Sequence, residues 1–321
     1  MGSKAETIVR TGVRMVRLNA PSEDPPDLHV SRCLRERLQP ERGQKYLVVH
    51  SHSGLGNRLR ALVAGRRVAK KTGRHLCVIW ELNDYHLWCP YERLFETPHV
   101  IVGTDFVLGM GGAQQQYRVG NEPNFIDPES EAELVYVWEE NFFWMLGDEG
   151  VMWGQFSPWK MKNPELRDEL LMEFDSLVPA QHIRKRVAEF EAEHFCERVV
   201  GVHIRREDNV WSNKHCHDLF FLWEVSKVLQ HMPDAKVFLC TDGEQSEQCM
   251  RNWFGDRVVT YPVRSLARGR DAEAIEDALI SMLLLSRTNL IVRSCSSTFS
   301  QVASWFGRVP TIDVGLLQHD W

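Results

Sequence analysis

Short apolar runs and longer segments of helical period alternate along most of this chain. In the second half, residues 199–204, 236–240, 257–260, 290–292 and 309–312 have the length and composition of strands. Segments 219–231, 245–254, 271–286 and 298–306 carry apolar residues at helical spacing between them. The first half repeats the rhythm less regularly. Strands are expected there at 46–50, 75–80, 99–102 and 133–138, and helices at 58–71, 90–95, 164–174 and 179–194. The stretch 109–127 contains Gly-Gly, three glutamines and no clear period, and reads as loop. Parallel strands need a crossover, and a helical crossover covers the face of the sheet, so this alternation predicts doubly wound parallel sheets. The expected fold is α/β, with two Rossmann-like doubly wound domains. A polar tail covers 1–44, an N-terminal domain 45–178 and a C-terminal domain 179–321, with the break at Leu177-Val178-Pro179.

Composition narrows the function classes. A chain of 321 residues with 43% hydrophobic content can bury two cores. A formal net charge of -6 provides no basic field for nucleic acid. The N-terminus is polar, and the longest apolar stretches, such as 278–285, are too short to span a bilayer, so no membrane span is expected. The eight cysteines contain no C-x-x-C; Cys77 and Cys240 sit in apolar strand-like runs and read as buried thiols. His215-Cys216-His217 has no partner Cys or His at structural zinc spacing, so no metal is expected there.

Three segments carry candidate chemistry. The strand Val199-Val200-Gly201-Val202-His203-Ile204 runs directly into Arg205-Arg206-Glu207-Asp208. Buried parallel strands deliver the loops at their carboxyl ends into a ligand crevice, and two permanently charged guanidiniums there suit a diphosphate. Near the other end, a strand is followed by Arg293-Ser294-Cys295-Ser296-Ser297-Thr298-Phe299 and a helix. Free N–H groups and hydroxyls at a helix start form an anion site, or the hydroxyls simply cap the helix. The third is Ser51-His52-Ser53-Gly54-Leu55-Gly56-Asn57, a glycine turn between a strand and a helix. It lacks the third glycine of a dinucleotide fingerprint and the Gly-Lys-Ser/Thr of a phosphate loop.

Together these segments resemble the fucosyltransferases that share an H-x-R-R-x-D motif, a group including α1,2-, α1,6- and protein O-fucosyltransferases. Residues His203-Ile204-Arg205-Arg206-Glu207-Asp208 match the motif at every fixed position. Gly54-Leu55-Gly56-Asn57-Arg58 is similar to the first glycine turn of the α1,2 and plant cell-wall members. Ser296-Ser297-Thr298-Phe299-Ser300-Gln301-Val302 is similar to the late Ser/Thr-Phe-Ser stretch of the α1,6 members, and Val237-Phe238-Leu239-Cys240-Thr241-Asp242 to a strand ending in Thr-Asp. The resemblance is strongest over 199–302 and finds no counterpart over about 82–198.

The resemblance implies a GT-B fold, two domains facing a cleft, with the donor on the C-terminal domain and the acceptor largely on the N-terminal one. It implies an inverting, metal-independent glycosyltransferase that moves fucose from GDP-fucose to a hydroxyl of a glycan or glycoprotein, with no further cofactor. Arg205 then grips the diphosphate, and Arg206 belongs to the donor site with it. His203 and Asp242 lie at the guanosine; a carboxylate matches the two donors on one guanine edge. Ser296, Ser297, Thr298 and the amides around Phe299 hold the phosphates from the other side, and Gly54, Gly56, Asn57 and Arg58 line the donor from the glycine turn. No Asp-x-Asp pair occurs in the chain, so arginines and a helix N-terminus are expected where many glycosyltransferases place a divalent ion. Of the eleven Trp, Trp88, Trp138, Trp144, Trp153 and Trp159 are concentrated where an acceptor platform would lie.

One departure concerns the general base. The glutamate that serves the α1,6 members falls near Asn213 here, and an amide accepts no proton. Asp208, Glu207 and His52 are the candidates, with Asp208 first; an equal role for Asp208 is to orient Arg205. The missing glutamate also keeps open a non-catalytic GDP-sugar or glycan binding protein. The expected compartment is cytoplasmic, with a secretory-pathway enzyme lacking its anchor as the alternative.

Overall fold

The computed structural model describes residues 43–51, 53–82, 87–110, 114–118, 130–138, 157–206, 209–265, 271–295 and 297–315. Their strands form two five-stranded sheets, each parallel throughout. In the first, β1 (Tyr46–Ser51) is central. On one side lie β2 (His75–Trp80) and β3 (Val100–Ile101), and on the other β5 (Leu134–Trp138) and the edge strand β4 (Gln114–Arg118). The second sheet runs β10 (Thr311–Val314), β9 (Leu290–Ser294), β6 (Val199–Ile204), β7 (Lys236–Thr241), β8 (Val258–Thr260). Its strand order reverses between β6 and β9. That switch point is where doubly wound sheets open a crevice at their carboxyl ends.

The strands read as apolar runs because both faces are covered. Leu47, Val48 and Val49 of β1 and all six residues of β6 are buried. Helix α1 (Leu55–Thr72) follows β1 and closes on Gly73 in the left-handed region, at φ 63°. Two short helices, α2 (Tyr91–Leu94) and α3 (Thr104–Gly109), complete the first half. Next come α4 (Pro164–Asp175), capped by the Asn163 side chain on the Leu166 amide, and α5 (Gln181–His194). The second half adds α6 (Val210–His215), α7 (Asp218–His231), α8 (Glu244–Phe254), α9 (Ala272–Leu285) and α10 (Thr298–Gly307).

Two differences from the sequence reading have simple causes. The expected loop over 109–127 contains β4, paired from Gln114 opposite Leu134 to Arg118 opposite Trp138. An edge strand is held by backbone bonds to one neighbour and needs no apolar run, so a polar sequence conceals it. The six-residue helices α3 and α6 are too short to display a period.

The largest apolar cluster lies between the sheets. Leu59 and Leu62 of α1, Phe174 of α4, Ile183 of α5, Leu279 and Ile280 of α9, and Trp305 of α10 all belong to it. Phe174 stacks on Trp305 with centroids 5.8 Å apart. Full burial of each such side chain stabilises by about 1.5–3 kcal/mol. The chain around the 178/179 boundary is bonded back to the first half: Glu96 N–H donates to Val178 O at 2.8 Å, and Ala180 N–H to Leu94 O at 2.9 Å. No helix among the described residues is long and apolar enough to cross a membrane.

Candidate active site

Strand β6 ends at the switch point, and its next residue, Arg205, is fixed at both backbone groups. Its N–H donates to Ser294 Oγ at 2.9 Å, and its carbonyl accepts from Ser212 Oγ at 2.7 Å and from Arg206 Nη1 at 3.1 Å. The side chain reaches the carboxyl end of β7, where Nη1 donates to Asp242 Oδ2 at 2.5 Å. Asp242 Oδ1 accepts from the Arg206 amide at 2.6 Å, so one carboxylate positions both arginines. The Arg205 side chain remains 35% exposed, which leaves a guanidinium held in place yet open to a ligand.

Arg206 is positioned for support. Its Nε donates to Ser246 Oγ at 3.0 Å, Nη2 pairs with Asp218, and the guanidinium lies 5.8 Å from the Phe221 ring centroid. Ser246 Oγ in turn donates to Asp218 Oδ1 at 2.8 Å. Arg206, expected at the donor, also ties the β6 loop to the starts of α7 and α8.

His203, expected at the guanosine, is buried. Its ring stacks on Phe299 with centroids 5.0 Å apart, and its Nδ1 lies 3.0 Å from Ser300 Oγ. Burial, with the Arg205 and Arg293 charges, pushes its pKa down to about 3, so the ring is neutral and joins β6 to the first turn of α10. On β9, Arg293 lies opposite Asp313 of β10 with Nε 2.6 Å from Oδ1, an ion-pair contact off the line of an N–H···O bond. Arg293 Nη1 also donates to Ser297 O at 3.3 Å. Burial would raise the Asp313 pKa, but the Arg293 and Lys160 charges outweigh it and hold it low. A buried ion pair thereby anchors the turn that starts α10.

Ser297 precedes α10 and makes no side-chain capping bond to it, so the capping alternative for that residue does not hold. Thr298 and Phe299 are half-buried, and no acidic residue occupies the first turn. The positive end of this ten-residue helix therefore lies at the switch point with Arg205.

The glycine turn meets the same place from the other sheet. A Cβ on Gly56 would lie 2.9 Å from the Thr298 carbonyl carbon and oxygen, so α1 and α10 touch backbone to backbone at their N-termini. Asn57 Oδ1 accepts from Arg60 Nη2 at 2.7 Å, and Arg60 Nη1 donates to Gln301 Oε1 of α10 at 3.1 Å. Gly54 stands just before α1, with its carbonyl accepting the Arg58 amide at 3.1 Å. Arg58, expected at the donor, is only 1% exposed. Its Nε donates to Ser53 O at 2.6 Å, its Nη1 to Glu81 O at 2.5 Å, and its guanidinium lies over Trp80. It pins the turn to the end of β2. Burial lowers its pKa to about 10, with Glu81 partly restoring it, so it stays cationic at neutral pH.

Asp208 and Ser296, with Glu207, His52, Trp144, Trp153 and residues 1–42, lie outside the described residues. Asn213 is exposed on α6. Trp88 and Trp138 are half-buried, and Trp159 is exposed with its indole N–H donating to Arg308 O. Cys77 is buried and Cys240 half-buried, and burial pushes both thiols up to about 12. Cys216 faces Cys295, with the sulfurs 3.2 Å apart. No group of three or more His, Cys, Asp or Glu among the described residues converges as a metal site. The sequence reading missed Asp218, Ser246, Ser212, Arg293 and Asp313, which hold the arginines and turns in place. Asp218 in the first turn of a helix near the Arg pair was the one available signal.

No protein-family model matches the sequence, and no curated protein matches it. The fold has clear counterparts among solved structures. The alpha-1,6-fucosyltransferase NodZ, a Bradyrhizobium protein, soaked with GDP-fucose, superposes with a TM-score of 0.56 at 21% identity, over 87% of this chain and 98% of that one. A mutant of Arabidopsis thaliana FUT1 in complex with GDP gives 0.54 at 16% identity, covering 90% of this chain and 74% of that one. POFUT1 in its apo form gives 0.52 at 13% identity, covering 87% and 100%. This chain therefore has the two-sheet GT-B fold found in these fucosyltransferases.

Proposed function

We propose that the protein is an inverting glycosyltransferase that moves fucose from GDP-fucose to a hydroxyl of a glycan or glycoprotein. The observation that carries the reading is Arg205, held by Asp242 at the switch point beside the N-terminus of α10, which the Ser297 side chain does not cap. A fixed guanidinium and a helix N-terminus stabilise the diphosphate as negative charge develops on it, the role a divalent ion takes in other glycosyltransferases. Likeness to structures solved with GDP or GDP-fucose supports the choice of donor. In this reading residues 179–321 hold the donor, residues 45–178 the acceptor, and the glycine turn of α1 closes the donor site from the acceptor side.

The test is a thermal-shift comparison of GDP, UDP and ADP, with and without a chelator, on the wild type and Arg205→Ala. GDP-selective, chelator-insensitive stabilisation that Arg205→Ala abolishes is the expected result. Equal response to all three nucleotides removes the GDP-sugar reading. GDP binding without turnover of GDP-fucose favours instead a non-catalytic binding protein, the reading that Asn213 keeps open.

A further inference from the structure

The reaction needs a group that takes the acceptor proton, and the described carboxylates around Arg205 are committed elsewhere: Asp242 to Arg205 and the Arg206 amide, Asp218 to Arg206 and Ser246. A different carboxylate stands at the carboxyl edge of the first sheet. Glu81 directly follows β2, and its side chain is 48% exposed. His50, at the end of the neighbouring strand β1, places Nε2 3.3 Å from Glu81 Oε2. His50 Nδ1 lies 2.7 Å from Tyr136 Oη on β5, and the imidazole stacks on Trp138 with centroids 6.2 Å apart. Tyr136 in the middle of β5, His50 near the end of β1 and Glu81 just past β2 thus form a row of contacts across three adjacent parallel strands.

The direction of the hydrogen bonds follows from the chemistry. Burial, and then the Glu81 charge, pushes the Tyr136 phenol up to about 12, so it keeps its proton and donates to His50 Nδ1. A neutral imidazole that accepts at Nδ1 carries its proton on Nε2 and donates to Glu81. The row therefore orients a carboxylate, as a His–carboxylate pair does when the carboxylate is the acting end.

The row is also connected to the donor side. Arg58 Nη1 binds the Glu81 carbonyl, Arg58 Nε binds the Ser53 carbonyl in the glycine turn, and Gly56 of that turn abuts Thr298 at the start of α10. Arg58 is the cation facing Glu81, and His50 and Tyr136 are the titratable groups facing it among the described residues.

We propose that Glu81 is the proton acceptor for the transfer, with His50 and Tyr136 as positioning residues; this rests on the fucosyl-transfer reading above. In the step, the acceptor hydroxyl gives its proton to the Glu81 carboxylate while its oxygen lone pair forms the new bond to the anomeric carbon. The bond from that carbon to the β-phosphate oxygen breaks, and its electron pair leaves on GDP. The Glu81 proton then passes to solvent, so GDP-fucose and an alcohol give fucoside, GDP and one proton.

The experiment measures GDP release from GDP-fucose by the wild type, Glu81→Gln, Glu81→Asp and His50→Phe. The acceptors are water and an array of terminal galactosides and N-acetylglucosaminides, and GDP binding is followed in parallel by thermal shift. Glu81→Gln is expected to lower turnover by about 100-fold or more while GDP binding is unchanged. Glu81→Asp restores part of the turnover. His50→Phe lowers kcat by about tenfold, leaves KM for GDP-fucose in place and moves the acidic limb of the pH profile, because the carboxylate has lost its donor. Turnover of Glu81→Gln within threefold of an active wild type overturns the assignment of Glu81 alone. A wild type that fails to bind GDP, or binds it without turnover on any acceptor, overturns the transferase reading and this assignment with it.

Discussion

Gly56 and Thr298 lie in the first turns of helices that follow strands of different sheets, yet a methyl group on the glycine would sit 2.9 Å from the threonine carbonyl. The two strand–turn–helix units therefore meet at the N-terminal ends of their helices, with the Thr298 carbonyl and hydroxyl both against Gly56. Two helix N-termini so close concentrate positive potential at one point.

Gly56→Ala tests this contact. In an open helix the change would stabilise by up to about 1 kcal/mol through reduced chain entropy. Here the new methyl strikes backbone that cannot rotate away, so we expect a net loss of about 1–3 kcal/mol in urea unfolding. GDP affinity falls in the same variant because α10 shifts. Unchanged stability and affinity would show that the contact is slack.

Asp242→Asn separates two roles for one carboxylate. In the structure both oxygens serve the arginines, one accepting from Arg205 Nη1 and one from the Arg206 amide. The amide replacement keeps an acceptor and loses the charge that orients Arg205. Affinity for GDP and ADP is expected to fall together, by about tenfold. A loss confined to GDP, seen by calorimetry, would return the carboxylate to the guanine edge.

His203 sets a pH dependence. Its pKa in the folded protein, about 3, is below the ordinary histidine value of 6.5, so between these values the unfolded chain binds the extra proton. The stabilising contribution of the neutral ring is complete above about pH 6.5 and is lost progressively as pH falls towards 3. In His203→Gln the decline in unfolding free energy between pH 6 and pH 4 should be shallower by up to about 1.4 kcal/mol per pH unit. Equal slopes in denaturant titrations at several pH values would contradict a buried neutral imidazole.

The thiols of Cys216 and Cys295 are hydrogen-bonded, with the sulfurs 3.2 Å apart. The hydrogen bond from Cys295 holds the Cys216 thiol down to about 6 against the opposing effect of burial, while Cys295 is pushed up. Cys295→Ala removes the donor, so Cys216 should titrate well above 6, and Cys216→Ala should abolish that transition. Ultraviolet thiolate absorbance across a pH series reads both.

Much of the architecture is legible in the chain because it depends on local pattern. Buried parallel strands must be apolar runs and their crossovers must be amphipathic, so β6, α7, β7, α8 and β9 appear as alternating periods, and Arg205 follows at the end of β6 whatever the tertiary detail. Strand β4 escapes because an edge strand satisfies its backbone from one side without an apolar signature. The division of labour among the polar residues belongs to tertiary structure alone. Arg205 and Arg206 are neighbours with the same charge, but one pairs with Asp242 and stays more exposed while the other pairs with Asp218 and is more buried, a choice set by what each guanidinium finds across the sheet. Likewise the burial of His203 against Phe299 and of Arg58 over Trp80 follows from packing and is not written in the motifs that contain them. The row of Tyr136, His50 and Glu81 has no sequence signature at all, because its members come from β5, from β1 and from just past β2; it exists only because parallel pairing sets β1 between β2 and β5, so that the three side chains reach one another.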